Sequence, residues 1–334
     1  MTRLRPTGSA LAPLFPALLE YAPCEAPYVL LSPSLSSLPC VGIPQYALTD
    51  MDILYHYCST ASFHAITQSH ALWLSSLSLS NDTMEGKLIT RTVARLADKD
   101  LLDNKYVRPL LDVIRCFEEI VHGLGFCLSE KGDLLSQWRG YAGDATGVAI
   151  GFSVEYLKWL SSANRSRGNS DFTLEKVEYE PSAHEARVEP VYRKITQLIK
   201  DGALEPPGKN RFRDRILSTE TEKAVLEARK KLTEESMPLV FQLFCLKSFA
   251  FEEEHEWRLL SHLAPYGENA CLHRVVDNRI VPYCKVELVE LGRGPIVEVI
   301  LGPKHDTPPG IVKNFLKMNG YDDVTVKKSE ASYR

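Results

Sequence analysis

Ile53-Leu54-Tyr55-His56-Tyr57 is a short apolar and aromatic run, typical of a β-strand, and it opens the folded part of the chain. Long helical segments are predicted in the middle of the sequence, at about 183–202 and 212–247. Other strand-like runs lie on both sides of that helical middle: Ala71–Ser75, Gly125–Ser129, Gly147–Phe152, Glu256–His262, Cys271–Val289 with a break near Asp277-Asn278, Val297–Gly302 and Val324–Val326. Strands grouped around a helical middle predict an α+β fold with a mixed, mostly antiparallel sheet, and not a repeating βαβ unit.

Local signals predict several smaller features. Ser62 is the expected cap of a helix that runs to about His70, and a further helix is expected behind Pro109. Residues 161–170 are rich in Ser, Asn, Arg and Gly, which indicates an exposed loop. The run Val177-Glu178-Tyr179-Glu180 is typical of a strand that stops at Pro181.

The proline distribution separates the N-terminus from the rest. Eight of the twenty prolines fall in residues 1–50, which predicts a proline-rich extension ahead of a folded body at 51–334. The helical segment at about 183–247 is then an insertion within that single body. No stretch is long and apolar enough to span a bilayer, and a secretory signal fits poorly, so we expect a cytoplasmic protein without a membrane partner.

The net charge and the cysteine spacing argue against two classes of function, nucleic-acid binding through phosphate contacts and metal binding at a C-x-x-C motif. The net charge of −4 argues against a protein that holds nucleic acid mainly through phosphate contacts. The eight cysteines show no C-x-x-C spacing, and we interpret them mainly as reduced, buried thiols. A zinc site remains open only if distant Cys and His residues converge, and no metal is predicted.

Three polar and aromatic clusters are candidates for chemistry. In the strand at Tyr55-His56-Tyr57, the two tyrosines point to one face and His56 to the other. His56 either contacts a ligand or is a core histidine with both ring nitrogens hydrogen-bonded within the protein. The second cluster, Gln137-Trp138-Arg139-Gly140-Tyr141, combines an amide, a guanidinium and two aromatic rings. These groups suit a planar, charged ligand, but a Trp that anchors a turn explains the pattern equally well.

The third cluster is Glu256-Trp257-Arg258, at the start of an apolar strand. Alternation places Glu256 and Arg258 on one face and Trp257 on the other. A charged pair on an otherwise apolar strand needs a partner or a ligand, so this pair is either a structural ion pair or part of a site.

Taken together, these runs resemble a large bacterial family, the domain of unknown function numbered 2971. The resemblance covers roughly residues 52–305 and rests on Leu54–Ser59, Leu72–Ser75, Asn81-Asp82, Glu85-Gly86, Phe126–Glu130, Asp133–Tyr141, Gly147–Phe152, Phe251-Glu252, Glu256–Arg258 and Ile300–Pro303. The sequence departs from the family pattern at Thr83, where proline is commoner after the Asp, and at Cys58, where Thr is commoner.

The chain also resembles, more weakly, the ADP-ribosyltransferases of the His-Tyr-Glu type. That resemblance implies a split sheet and NAD as substrate, with His56 at the NAD ribose, Trp73 or Ser75 in the second-motif strand and Glu256 as the catalytic carboxylate. The tyrosine expected in the second strand is absent there, and Tyr57 or Tyr141 replaces it. The other implied cofactor-binding residues are Tyr55, Gln137, Trp138, Arg139 and Arg258.

The implied activity is cleavage of the nicotinamide–ribose bond of NAD, with water, a protein or a nucleic acid as acceptor, in a toxin or a phage-defence effector. A non-catalytic protein that binds a nucleotide or another ligand in the same pocket is the main alternative. A nuclease is a second alternative, because Glu252, Glu253, Glu254 and Glu256 offer carboxylates for a divalent metal, although consecutive residues converge poorly on one ion.

Overall fold

A computed structural model describes residues 53–80, 84–166, 172–204, 219–263, 272–276, 278–289 and 294–333. The predicted extension at 1–50 and the Asn81-Asp82 pair of the family resemblance lie outside these residues.

The described strands form one mixed, mostly antiparallel sheet, which confirms the predicted α+β class. The main path has the order β10-β9-β4-β1-β3-β2-β8-β7, with β6 on β3 and β5 on β6; β9 and β10 are parallel. The strands are β1 (Ile53–Cys58), β2 (Ala71–Ser76), β3 (His122–Ser129), β4 (Val148–Ser153), β5 (Thr173–Lys176), β6 (Glu256–Leu263), β7 (Leu272–Val276), β8 (Arg279–Glu287), β9 (Ile296–Leu301) and β10 (Thr325–Lys328).

Two hydrophobic cores flank the sheet. One contains Phe126, Leu128 and Phe152, and the other contains Leu77, Phe244 and Leu260 together with residues of the long helices. The helices are α1 (Thr60–Ser69), α2 (Leu88–Lys99), α3 (Asn104–Ile120), α4 (Leu135–Tyr141), α5 (Val154–Ser166), α6 (Pro181–Lys200), α7 (Thr219–Val240) and α8 (Pro309–Met318).

The sheet splits along one edge of β3. On its other edge, β3 pairs with β6 over its whole length, from His122 to Ser129. On the split edge, β2 pairs with Leu124 and Gly125, whereas β1 meets β3 only at Ser129. Residues 126–128 of β3 therefore face a gap between β1 and β2, and the gap opens a cavity in the middle of the sheet.

Four local predictions are corrected by the structure. The cap of α1 is Ser59, whose side chain accepts from the amide of Ser62. Helix α3 begins at Asn104, before Pro109, because Asp103 caps it by accepting from the amide of Lys105 at 2.9 Å. Helix α5 extends to Ser166, into the predicted loop.

The fourth correction concerns the strand predicted at Val177–Glu180. The strand is β5, at Thr173–Lys176, and Glu178 makes only an isolated bridge to Leu246. Pro181 instead occupies the first turn of α6, where its missing N–H costs nothing.

Candidate functional site

A cavity of about 500 Å³ occupies the split, within the size range of small-molecule sites. It is bounded by β1, β2, β3, β6 and β7, by α1 and α4, and by the segment around Lys247. Nine of the eleven residues predicted to bind or act line it: Tyr55, His56, Tyr57, Trp73, Ser75, Gln137, Tyr141, Glu256 and Arg258.

His56 sits where the ladder between β1 and β3 is interrupted. Its ring stacks on Phe126 with the centroids 3.9 Å apart, and Nδ1 lies 2.8 Å from the carbonyl oxygen of Cys127. A carbonyl can only accept, so Nδ1 carries the proton and Nε2 keeps its lone pair. Burial lowers the pKa of His56 to about 4, with the nearby positive charge of Arg274 acting in the same direction. His56 is therefore a neutral hydrogen-bond acceptor at physiological pH.

Arg258 is the buried centre of an ion-pair cluster. Its Nε and Nη2 donate to the two carboxylate oxygens of Glu256 at 2.7 and 2.8 Å. Nη1 and Nη2 also donate to Glu85, at 2.6 and 3.1 Å, and Nη1 donates to the carbonyl of Phe244 at 2.8 Å. These bonds occupy all five N–H donors of the guanidinium. Arg258 therefore orients Glu256 and has no donor left for a phosphate.

Lys247 extends the cluster towards α4. Its ammonium donates to Glu254 and, at 2.9 Å, to Oε2 of Glu256, while the Tyr141 hydroxyl donates to Glu254 at 2.9 Å. Burial lowers the pKa of Lys247, but Glu256 and Glu254 more than offset this effect and raise it. Lys247 therefore stays charged and links the catalytic candidate Glu256 to the aromatic candidate Tyr141.

Glu256 is held as a carboxylate. Burial alone raises its pKa, but the charges and hydrogen bonds of Arg258 and Lys247 bring it down to about 2. The five groups of the cluster comprise three carboxyls (Glu85, Glu254, Glu256) and two cations (Lys247, Arg258), so one negative charge is in surplus when all are ionised. Burial raises the pKa of Glu85, so the surplus is present at pH values above that pKa, where it makes that end of the cavity complementary to positive charge.

Cys127 connects His56 to the cluster. Its main-chain carbonyl accepts from His56, and its side chain faces the cavity beside Glu256. Desolvation of the thiol by the surrounding cavity wall and the charge of the Glu256 carboxylate raise the pKa of the thiol well above its usual value. The thiol is thus a neutral group on the cavity wall between the imidazole and the carboxylate.

Of the two tyrosines proposed to replace the missing aromatic residue, Tyr141 is the more open. The Tyr57 hydroxyl donates to the carbonyl of Lys131 and accepts from the amide of Leu134, and its ring meets Trp138 edge-on. Tyr57 is 5% exposed and Tyr141 is 41% exposed. Tyr55 donates to Glu298, on the adjoining part of the sheet. Tyr141 is therefore the tyrosine with a ring surface available to a ligand.

Trp138 and Arg139 lie outside the cavity, contrary to their predicted role in cofactor binding. Trp138 is fully buried in a small core behind β1, and its indole N–H donates to Asp133 at 2.6 Å. Arg139 is exposed, and its guanidinium lies 5.8 Å from the ring centroid of Tyr333. Because α4 turns only one face to the cavity, Gln137 and Tyr141 reach it and the three residues between them do not.

The cavity wall also contains charged groups and a thiol that the sequence does not predict for NAD binding or cleavage: Glu85, Cys127, Lys247, Glu254 and Arg274. Glu85 and Cys127 belong to the runs that carry the family resemblance, and Lys247 directly follows the apolar run Leu243–Leu246. A charge placed against an apolar run is a usable signal of a buried ion pair. Arg274 carries no such signal, because it lies in a strand with exposed neighbours on both sides.

The lowered pKa of His56 makes stability depend on pH. Between about pH 6.5 and pH 4 the unfolded chain binds a proton at this residue and the folded chain does not, so the free energy of unfolding falls as the pH falls. Burial also lowers the pKa of His262 to about 4, so His262 contributes in the same way.

We expect His56→Gln to make the dependence of unfolding free energy on pH shallower by about 1 kcal/mol per pH unit in this window. Urea denaturation at a series of pH values measures the slope, with His262→Gln as a positive control; a slope equal to that of wild type would contradict the assignment.

The fold and cavity define an α+β protein with a split sheet and a charged, partly aromatic pocket at the split. The family model described as "Protein of unknown function (DUF2971)" matches residues 137–259, just over a third of the chain, so this part of the chain is similar to that family. The match includes α4, β4, β5 and the Glu256–Arg258 pair. No curated protein and no solved structure matches the chain. The resemblance to ADP-ribosyltransferases therefore rests on sequence residues alone.

The described residues contain neither a metal-binding cluster nor a membrane-spanning helix. Within the described ranges, no group of three or more His, Cys, Asp or Glu side chains has an arrangement that could hold a metal ion. Of the acidic run proposed for a nuclease, Glu252 and Glu253 are exposed, while Glu254 and Glu256 are paired with Lys247. None of the helices described here combines the length and apolarity needed to cross a membrane.

Proposed function

We propose that the cavity binds NAD and that the protein cleaves the bond between nicotinamide and ribose. The observation that carries this proposal is the meeting of His56 and Glu256, two hundred residues apart in sequence, on the wall of one cavity with Cys127 between them. The negative charge and the aromatic surface of the cavity also suit a cationic nicotinamide ring.

The reaction develops positive charge on the ribose. The C1′–N bond breaks, its electron pair leaves with the nicotinamide nitrogen, and water adds its oxygen to C1′ and releases a proton. Fixed negative charge helps most where this positive charge is largest, in the transition state. Glu256 is ionised throughout the physiological pH range, and the surplus negative charge of its cluster is available for this role.

The remaining cavity groups position the substrate. Nε2 of neutral His56 accepts a hydrogen bond from a ribose hydroxyl, the exposed ring of Tyr141 stacks on nicotinamide, and the buried amide of Gln137 is available to its carboxamide. With water as acceptor the protein is an NAD hydrolase. With a protein or nucleic acid as acceptor it is a modifying toxin or defence effector.

Replacement of His56 tests the proposal with a closely matched control. We expect wild-type protein to release nicotinamide from NAD, and His56→Ala to release it roughly 100-fold more slowly, because the ribose loses a contact that fixes its position. His64→Ala is the control, since His64 is exposed on α1 and lies outside the cavity. Chromatography of nicotinamide over time gives the rates. Equal rates for His56→Ala and wild type would remove His56 from the mechanism.

One observation favours a second function, binding without turnover. Both carboxylate oxygens of Glu256 already accept from Arg258 or Lys247, so the cluster is able to serve purely as a structural wall of a nucleotide-binding pocket. A protein that binds NAD with measurable affinity and releases no nicotinamide would support this alternative.

A further inference from the structure

Arg274 is a second guanidinium on the cavity wall; it is only half-buried, whereas Arg258 is fully buried. It lies in β7, and its Nη2 donates to the hydroxyl of Ser75 at 2.9 Å. Its Nε is buried and has no hydrogen-bond acceptor among the described residues. Within that same part of the chain, no carboxylate pairs with this guanidinium, whereas Arg258 is paired with two.

The position of Arg274 is set by aromatic contacts. The guanidinium lies 5.4 Å from the ring centroid of Trp73, and Trp73 lies 4.8 Å from the ring centroid of Tyr283. Stacking on an aromatic face holds a guanidinium in place without neutralising its charge. Burial lowers the pKa of Arg274, but an arginine stays protonated at physiological pH. Arg274 therefore presents a fixed positive charge, and its Nε–H has no acceptor among the described residues.

The cavity is therefore electrically polarised. The cluster around Glu256 has one carboxyl group more than it has cations, and Arg274 carries a positive charge with no carboxylate partner among the described residues, on the part of the wall formed by β2 and β7. His56 lies between the two groups. The charge of Arg274 contributes to its lowered pKa, and its Nδ1 donates to the main-chain carbonyl of Cys127, whose thiol borders Glu256. A ligand that fits both ends carries a cationic or charge-developing ring at one end and an anionic group at the other.

We propose that Arg274, supported by Trp73 and Ser75, forms a phosphate-binding subsite that holds the pyrophosphate of the ligand. This inference rests on the proposed function and adds to it the polarity of binding: nicotinamide and its ribose towards Glu256, and phosphates towards Arg274. A guanidinium is suited to phosphate oxygens because its parallel N–H groups donate to two of them at once.

Affinity measurements on the full chain separate this subsite from a purely structural role. The probes are NAD, ADP-ribose and nicotinamide riboside, which lacks any phosphate, each titrated by calorimetry. We expect Arg274→Gln to weaken binding of ADP-ribose and NAD at least tenfold while binding of nicotinamide riboside is unchanged, and Arg274→Lys to restore part of the loss. Arg279→Gln is the matched control, because Arg279 lies on the same hairpin, is exposed and is outside the cavity.

The outcomes also separate this inference from the proposed cleavage. Equal loss for nicotinamide riboside and ADP-ribose would mean that Arg274 only shapes the cavity, and would overturn the subsite. Wild-type affinity for ADP-ribose in Arg274→Gln, or no binding of ADP-ribose by the wild type, would overturn it as well. If Arg274→Gln loses affinity for ADP-ribose but not for nicotinamide riboside, and wild-type protein releases no nicotinamide from NAD, the subsite is supported and the proposed cleavage is wrong. If Arg274→Gln releases nicotinamide with the kcat and KM of wild type, the proposed cleavage is supported and the proposed phosphate subsite is wrong.

Discussion

Replacement of Arg258 by glutamine is expected to lower the free energy of unfolding by about 3–5 kcal/mol, because it leaves buried carboxylates without their counter-ion. Glu85 and Glu256 both pair with this guanidinium, and Lys247 is the only other cation of the cluster. Since domains are typically stable by about 5–15 kcal/mol, this loss is a large fraction of the total. Thermal and urea unfolding of the purified variant measure it.

The control for Arg258 is an exposed arginine in a comparable ion pair. Arg193 on α6 pairs with Glu189 and Asp100, but its side chain is 60% exposed, so solvent screens both pairs. We expect Arg193→Gln to unfold at nearly the same urea concentration as wild type. Adding Glu85→Gln to Arg258→Gln should recover part of the loss, because one buried charge is removed. If Arg258→Gln unfolded at the same urea concentration as wild type, the cluster would not be a stabilising element.

Replacement of Glu256 by glutamine is expected to slow nicotinamide release by about 10²–10³-fold, the size of effect found when one preorganised electrostatic contact to a transition state is removed. The substitution keeps the shape of the side chain and removes its charge. It also spares the fold more than Arg258→Gln does, because Arg258 keeps Glu85 and Lys247 keeps Glu254. The loss should therefore appear in kcat in a protein that still unfolds cooperatively.

A matched control for this variant is Glu287→Gln, on β8. The side chain of Glu287 is 78% exposed and lies outside the cavity, so its charge should not influence the rate. Circular dichroism melts of both variants check that each is folded at the assay temperature. Nicotinamide release by folded Glu256→Gln at the wild-type rate would exclude Glu256 as the group that stabilises positive charge on the ribose.

The strands were the most predictable part of the fold, because alternation and β-branched or aromatic runs directly report which residues face the core. This signal located β1, β2, β3 and β6, the strands around the split, to within a few residues. It failed at β5, where Val177–Glu180 has the composition of a strand but lies beyond the point at which the chain leaves β6. Such a boundary is set by tertiary pairing, which a local window does not contain.

The candidate site was predictable only where strand alternation exposes polar groups. Glu256 and Arg258 were expected to share a face, and the structure places both in the cluster on the cavity wall. The position of Trp138 behind β1 is not predictable from sequence, because the orientation of a seven-residue helix cannot be read from so short a pattern. Lys247 and Arg274 were missed because each becomes a cavity residue through contacts with strands distant in sequence.

The most direct test of the central claim is a crystal structure of the wild-type protein with an NAD analogue whose ribose ring oxygen is replaced by a methylene group. This analogue keeps the shape and charge of NAD but resists cleavage, because the ring cannot share its positive charge with an oxygen. The account predicts the analogue in the split of the sheet, with its modified ribose ring between His56 and Glu256. Analogue bound elsewhere, or an empty split at saturating concentration, would contradict it.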